Sequence, residues 1–198
     1  MLVCEKRNLG FIHIPATAGT TLESYLLSLG FQYNKPSNNE VSMLQRHNKA
    51  FEVTHVDVKK FCIVRNPYNR EISMYEHTKR NIDLYRKHIP DTIRVNNFDS
   101  WVRSKYLDSD CPNYHMVDKN DSMLSYITVN GEIVCDIIRY EYLNEEYNEF
   151  AKNNDLPLDI FKHTRLNSNK KTHMYWSKAL INIAAPYYRE DCDKLVYW

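Results

Sequence analysis

A strand, a run of small residues and a helix follow one another near the N-terminus, and this unit constrains the fold most. The apolar run Leu9–Ile14 contains β-branched and aromatic residues and predicts a buried strand. The small residues of Pro15–Thr21 follow, and apolar residues then recur at helical spacing from Leu22 to Leu29. Gly30 suits the left-handed position after a helix. The order of these segments predicts the first strand–loop–helix unit of an α/β protein.

A second unit of the same kind lies about fifty residues further along the chain. Phe61–Arg65 is another apolar run that predicts a buried strand. Asn66 and Pro67 follow as a capping residue and a proline at the first helical position, so we expect a helix from Tyr68 to about Arg80. Two such units favour a largely parallel sheet flanked by helices.

The rest of the chain continues the alternation of strands and helices. Its segments are strands at Ala50–Thr54 and Glu132–Arg139, a turn at Gly131, and helices at Leu143–Asn153 and from Ser177 to about Leu195. The length of 198 residues suits one domain of ordinary size, so we expect a single domain over residues 1–198.

Composition and charge exclude several classes of protein. The 26 lysines and arginines nearly balance the 25 aspartates and glutamates, so no basic excess indicates a nucleic-acid partner. No stretch reaches the roughly 18 apolar residues of a membrane span, and Met1–Arg7 lacks the apolar core of a signal peptide. The five cysteines are widely spaced without a CxxC pair, which favours free thiols over disulfides or zinc. We therefore expect a protein without a membrane partner, in a reducing compartment.

The small-residue loop has the properties of a phosphate-binding loop. Backbone N–H groups and the N-terminus of the following helix favour an anion, and Thr20 and Thr21 add hydroxyl donors. The loop lacks GxxxxGK[ST], which disfavours an ordinary ATPase or GTPase, and a plain strand–helix turn would also explain it. Arg65 at a strand end and Ser73 two turns into the next helix could reach one phosphate.

Three motifs together resemble one known family. Phe11–Leu22, FIHIPATAGTTL, resembles the 5′-phosphosulfate loop FxHIPKTAGTSL of the sulfotransferases that use 3′-phosphoadenosine 5′-phosphosulfate (PAPS). Val64–Tyr75, VRNPYNREISMY, resembles the family's 3′-phosphate motif VRNPYxRxxSxY, and Ile138–Leu143 resembles its RYExL strand. The chain is thus identified as a member of the PAPS-dependent sulfotransferases, most similar to the carbohydrate branch with its heparan and chondroitin 2-O-type enzymes.

The resemblance implies a three-layer α/β/α P-loop-like fold with a mainly parallel central sheet. It also implies in-line transfer of a sulfuryl group from PAPS to an acceptor hydroxyl, with release of 3′-phosphoadenosine 5′-phosphate (PAP) and without a metal. We expect a carbohydrate acceptor, with another alcohol, a phenol or a peptidyl tyrosine as alternatives. Arg65 and Ser73 would hold the 3′-phosphate. The 5′-phosphosulfate would lie in a loop formed by Pro15, Thr17, Ala18, Gly19, Thr20 and Thr21.

The reaction requires a base that accepts the proton of the acceptor hydroxyl. His55 precedes the 3′-phosphate strand, where the 2-O-type enzymes carry their catalytic histidine, and a neutral imidazole suits the task. The alternative interpretation of His55, which we favour less, is a polar residue at a strand end. Glu52, Asp57 and His77 are weaker candidates. His13 matches a family histidine that we expect to pack or hydrogen-bond beneath the loop.

Ala16 departs from the family, which has a lysine at this position. That lysine donates to the sulfuryl group and the leaving oxygen, so its loss could cost several kcal/mol of transition-state stabilisation. Three explanations are open: deliberate replacement to trap a complex, which we favour; another cation such as Lys170, Lys171 or Arg165; or a relative that only binds nucleotide. The family's C-terminal loop often closes over the nucleotide with basic residues, so Lys170 and Lys171 are candidate phosphate ligands or merely solvated lysines.

Two other functions compete with sulfuryl transfer. One is a catalytically inactive PAP- or PAPS-binding protein, and the other is a P-loop kinase-like phosphotransferase that uses ATP and magnesium. Acceptor contacts are expected between Tyr85 and Tyr126, where Trp101, Lys105 and Tyr106 suit either a glycan or a helical core. The short N-terminus ahead of the loop favours a cytoplasmic protein of a bacterium, a virus or a host cytosol, without signal peptide or anchor. The oligomeric state is left open.

Overall fold

The computed structural model describes residues 1–34, 47, 49–50, 57–86, 88–108, 116–161 and 172–197. The chain divides into two compact units. The sheet unit comprises Met1–Arg65 and Met123–Leu166, and the helical unit comprises Asn66–Ser122 and Asn167–Trp198. The single domain expected from the chain length stays a prediction.

The described strands all belong to the sheet unit. They are β1 (Leu2–Cys4), β2 (Leu9–Ile12), β3 (Gln32–Tyr33), β4 (Lys59–Val64), β5 (Thr128–Val129), β6 (Glu132–Ile133) and β7 (Asp136–Arg139). Five of them form a sheet in the order β3-β1-β2-β4-β7, and β5 pairs with β6. The pairs β2–β4 and β4–β7 are parallel, whereas β1 runs antiparallel to both β2 and β3. The mixed α/β architecture with a mainly parallel centre is therefore confirmed.

The helices are distributed between the two units. They are α1 (Gly19–Ser28), α2 (Pro67–Arg80), α3 (Ile82–Tyr85), α4 (Phe98–Arg103), α5 (Leu124–Ile127), α6 (Leu143–Lys152), α7 (Thr172–Tyr175) and α8 (Lys178–Leu195). Short 3-10 turns cover Glu5–Arg7 and Tyr140–Tyr142, and a π-helical turn, Ser104–Asp108, continues α4. Helices α1, α5 and α6 lie in the sheet unit, and the other five lie in the helical unit.

The core of the sheet unit lies on one face of the sheet. Phe11 and Phe61 are opposite each other in the β2–β4 register, and their ring centroids are 5.3 Å apart. Phe150 of α6 packs on Phe61 at 4.4 Å, and Leu22 and Leu26 of α1 join the same buried cluster. Burying a side chain of this size stabilises the fold by about 1.5–3 kcal/mol. This packing fixes the start of α1 at the end of β2, where the small-residue loop lies.

One predicted strand is divided in the structure. Glu132–Arg139 was expected to be continuous, but Glu132–Ile133 pairs back on Thr128–Val129 and only Asp136–Arg139 joins the main sheet. The reason is a two-residue turn at Asn130 and Gly131, whose φ angles are 52° and 85°. Two left-handed residues in succession make the tight hairpin turn that matches the twist of paired strands.

Helix starts in the helical unit follow the sequence signals. The Asn66 side chain accepts hydrogen bonds from the N–H groups of Tyr68 and Asn69 at 3.1 and 3.2 Å, and Pro67 is the first residue of α2. Ser177 likewise accepts from Leu180 N–H at the start of α8. The cap predicted at Asn66 is therefore confirmed, and Ser177 caps the helix that was predicted to begin there. The strand expected over Ala50–Thr54 lies mostly outside the described residues.

Candidate functional site

The loop between β2 and α1 has a strained backbone. Ala16 and Ala18 adopt left-handed φ angles of 65° and 72°, and Ala18 is the residue that precedes α1. A left-handed residue that is not glycine costs about 1–2 kcal/mol, and such strain tends to occur at functional sites. An alanine in this position has no side-chain oxygen to accept from the first N–H groups of the helix. These groups are the part of a helix that binds anions.

The threonines of the loop have different roles. Thr17 is fully buried, and its hydroxyl donates to the carbonyl of Ile14 at 2.9 Å. That bond ties the loop to the end of its strand, so the Thr17 side chain acts in the loop's own structure. Thr20 and Thr21 are exposed in the first turn of α1. Their hydroxyls are the side-chain donors on the solvent side of the loop.

A buried histidine forms the floor of the loop. His13 Nδ1 lies 2.7 Å from a carboxylate oxygen of Glu23, and both side chains are almost completely buried. Tyr33 donates its hydroxyl to the other Glu23 oxygen. The His13 ring packs so closely on Gly19 that a Cβ there would lie 2.0 Å from its Cδ2 atom. The expectation that His13 packs or hydrogen-bonds beneath the loop is confirmed in its first form, since the ring packs on Gly19 and Phe11.

Arg65 brings a positive charge to the same loop. It follows β4, is 6% exposed, and donates from its Nη1 to the carbonyl of Ala16 at 3.3 Å. Its guanidinium carbon lies 4.2 Å from the ring centroid of Tyr140, which follows β7. The carboxyl ends of three parallel strands thus bring together a strained loop, an arginine and an aromatic ring. Ligands of open α/β sheets bind at this edge.

The comparison with known families agrees with this geometry. The model of the sulfotransferase family matches residues 1–195. The chain belongs to the sulfotransferase family. The recognition made from its motifs is therefore confirmed at the level of the family. No curated protein and no solved structure matched the chain in the corresponding searches.

The segment of this sulfotransferase that resembles the family's 3′-phosphate motif continues into α2. Ser73 is half-buried on this helix, one turn before His77. His77 Nε2 lies 2.7 Å from the Tyr85 hydroxyl. Partial burial and the charge of Arg80 lower the pKa of His77 below its ordinary value, so its imidazole is neutral at pH 7. A lowered pKa also makes the imidazole a weaker base, so this shift gives no support to His77 as the proton acceptor.

A buried network around Glu71 was not foreseen from the sequence. Lys105 Nζ lies 2.9 Å from Glu71, and the Tyr106 and Tyr188 hydroxyls donate to it at 2.6 and 2.7 Å. Trp101 Nε1 donates to the other carboxylate oxygen at 2.5 Å. Burial opposes ionisation, but the Lys105 charge and these hydrogen bonds outweigh it and lower the pKa of Glu71.

The Glu71 network decides between two interpretations of the middle region. Trp101, Lys105 and Tyr106 could have served an acceptor or a helical core, and the structure places all three in the core of the sulfotransferase's helical unit. In the structure, Lys105 lies in the π-helical turn Ser104–Asp108, and such turns often occur where a side chain has a special role. The residue order alone does not reveal that four donor side chains converge on one carboxylate.

Several predicted site residues lie outside the part of the chain that the structure describes. They are His55, Lys170 and Lys171, together with the alternatives Glu52 and Arg165. Asp57 is described and is exposed. Within the described ranges, no group of three or more histidine, cysteine, aspartate or glutamate residues could hold a metal ion. None of the helices in those ranges combines the length and apolar character that crossing a membrane requires.

Proposed function

We propose that this sulfotransferase transfers a sulfuryl group from PAPS to an acceptor hydroxyl, with a carbohydrate as the acceptor. The observation that carries the proposal is the contact of Arg65 with the loop carbonyl of Ala16, at the carboxyl ends of β2 and β4. A small-residue loop lets a phosphate approach the backbone, and an arginine beside it supplies a bidentate donor for a second phosphate. PAPS carries both kinds of group.

Each proposed role follows from the chemistry of the residue. The loop from Pro15 to Thr21 would bind the 5′-phosphosulfate through its backbone N–H groups and the exposed hydroxyls of Thr20 and Thr21. Arg65 and Ser73 would hold the 3′-phosphate, and Lys170 or Lys171 would add charge over the nucleotide. The acceptor oxygen forms a bond to sulfur while the bond from sulfur to the phosphate oxygen breaks. PAP leaves with that electron pair, and His55 accepts the hydroxyl proton.

The alanine at position 16 predicts slow transfer. A lysine there would place a charge beside the sulfuryl group, and removal of one such donor typically lowers the rate 10²–10³-fold. Ala16 is half-buried and is one of the two left-handed residues of the loop. Because it is partly exposed, a longer side chain at this position can extend toward solvent. We therefore expect the Ala16→Lys variant to transfer sulfuryl about 10²-fold faster than the present chain.

The test is transfer of radiolabelled sulfuryl from PAPS to a panel of acceptors: an unsulfated glycosaminoglycan, a simple phenol and a tyrosyl peptide. Ala18→Lys is the matched control, because it adds the same charge at the other left-handed alanine of the loop. Faster transfer by Ala16→Lys alone, to the glycan, supports the proposal. Equal rates in the two variants and the parent chain would contradict the account of the missing lysine.

A second function is favoured by Ala16 itself. A relative that only binds PAP or PAPS would keep the loop and Arg65 and would need no lysine. Tight PAP binding without transfer in the Ala16→Lys variant would establish this alternative.

A kinase-like phosphotransferase instead predicts preference for ATP and magnesium. The carbohydrate 2-O-type branch, the cytoplasmic location and the single-domain organisation stay predictions.

A further inference from the structure

The ring of Tyr140 lies against the guanidinium of Arg65, with 4.2 Å between the guanidinium carbon and the ring centroid. Both residues are 6% exposed. We propose that Tyr140 is a positioning residue that holds the Arg65 guanidinium against the phosphate loop. The inference rests on the proposed function, because it assigns Tyr140 a part in binding the anionic nucleotide through Arg65.

The sheet itself builds this pair. Strands β4 and β7 are parallel, and Val64 is paired with Arg139 at their carboxyl ends. Arg65 and Tyr140 are the next residue on each strand, so the register places them side by side. Tyr140 also begins the 3-10 turn Tyr140–Tyr142 and belongs to the buried cluster of the sheet unit. The ring therefore has a fixed support, and its contact with the guanidinium does not depend on a chance rotamer of a surface side chain.

The cation–π contact has a consequence for anion binding. It is an attraction to the ring face, so it adds to the hydrogen bonds that the guanidinium N–H groups donate. One of these nitrogens, Nη1, donates to the carbonyl of Ala16 at 3.3 Å. The ring face and the loop carbonyl thus restrain the guanidinium at two points. An arginine fixed in this way loses less conformational entropy when it binds a phosphate.

A purely structural role for Tyr140 makes a different prediction. If the ring only filled the core, its loss would lower stability and would weaken nucleotide binding whether or not Arg65 is present. If the ring acts through Arg65, its loss would weaken binding only while the guanidinium is there. A double-mutant cycle separates these two cases.

The first measurement is the dissociation constant of PAP for the parent chain, Tyr140→Leu, Arg65→Gln and the double variant. We expect Tyr140→Leu to weaken PAP binding about tenfold in the parent chain and by less than about twofold in the Arg65→Gln background. Tyr140→Phe keeps the ring and should bind within about twofold of the parent. Tyr142→Leu is the matched control, since Tyr142 lies in the same turn and is 57% exposed. Equal weakening by Tyr140→Leu in both backgrounds would overturn the proposal.

The second measurement needs no nucleotide. Phenylglyoxal modifies accessible arginines, and mass spectrometry reports the rate at Arg65. We expect slow modification in the parent chain and in Tyr140→Phe, and modification at least about fivefold faster in folded Tyr140→Leu. If Tyr140→Leu does not fold, phenylalanine with one to three ring fluorines at position 140 keeps the volume and weakens the cation–π contact stepwise. A modification rate that is unchanged across the folded variants would contradict the positioning role.

The two measurements separate the inference from the proposed function. If the parent chain does not bind PAP but the modification rates follow the ring at position 140, the proposed function fails and the positioning of Arg65 stands. If PAP binds and neither measurement responds to Tyr140, the proposed function stands and the inference fails.

Discussion

A methyl group at position 19 would collide with His13, which forms the floor of the loop between β2 and α1. The Cβ of an alanine there would lie 2.0 Å from His13 Cδ2 and 2.3 Å from His13 Nε2. Real Cβ atoms do not approach other atoms so closely, so either the ring or the start of α1 must move. Gly19→Ala therefore tests whether the histidine floor fixes the loop.

The magnitude follows from how firmly the ring is held. His13 is 3% exposed, lies 2.7 Å from Glu23, and stacks on Phe11 with 5.8 Å between ring centroids. Overpacking at such a site costs about 1–3 kcal/mol. Alanine gains back at most about 1 kcal/mol over glycine in a helix. With that full gain subtracted, we expect a net loss of up to about 2 kcal/mol, which at a typical urea slope of about 2 kcal/mol per molar moves the unfolding midpoint down by up to about 1 M.

Urea unfolding followed by far-ultraviolet circular dichroism measures this shift. The double variant His13→Ala with Gly19→Ala removes the colliding ring, so Gly19→Ala should cost almost nothing in the His13→Ala background. Gly30→Ala is the matched control: Gly30 has a φ of 86° with no atom within 4 Å of its would-be Cβ. Its penalty comes from the backbone alone and should persist without His13. An equal Gly19→Ala penalty in both backgrounds would refute the steric account.

Three further predictions concern buried ionisable groups. Lys105→Met removes the cation beside the buried Glu71 carboxylate and should cost about 3–5 kcal/mol in urea unfolding; a loss below about 1 kcal/mol would contradict the ion pair's role. Because the pKa of Glu71 is lowered, its ionised form stabilises the fold above the ordinary glutamate pKa of about 4.3, and this contribution is lost as the pH falls through the folded-state value. Glu71→Gln should therefore flatten the acid limb of a stability–pH profile, and an unchanged limb would count against this assignment. The hydrogen bond with Cys135 and burial raise the pKa of the Cys62 thiol, so little of it is in the reactive thiolate form. We therefore expect iodoacetamide to alkylate the half-buried Cys135 before Cys62, and mass spectrometry measures both rates. Equal alkylation rates would show that Cys62 is accessible.

The strand–loop–helix units could be predicted from the sequence because local signals agree there. An apolar run, small residues and a periodic helix give the first unit, and Asn66 with Pro67 marks the start of α2. The antiparallel strands β1 and β3 could not be predicted in the same way. They contain only three and two residues, so they show no periodicity, and pairing with distant residues defines them. The Asn130–Gly131 turn was visible in the sequence, but its effect on the following strand was missed.

The site was predictable where its residues adjoin strand ends. The loop and Arg65 follow neighbouring parallel strands, so their proximity is a consequence of topology. The contact of Tyr140 with Arg65 depends on the register of β4 and β7, which local sequence does not specify. The Glu71 network was hidden because its members come from three separate segments, and a charged residue in an isolated helix pattern is usually solvated.

The most direct test of the central claim is a comparison of PAP with ATP–Mg²⁺ as ligands of the purified protein. Isothermal titration calorimetry gives both dissociation constants under the same conditions. Sulfuryl transfer from PAPS predicts that PAP binds more tightly and that Arg65→Gln weakens PAP binding at least about tenfold, because a charge-assisted contact to phosphate is lost. Tighter binding of ATP–Mg²⁺ than of PAP would contradict the assignment of PAPS as the sulfuryl donor.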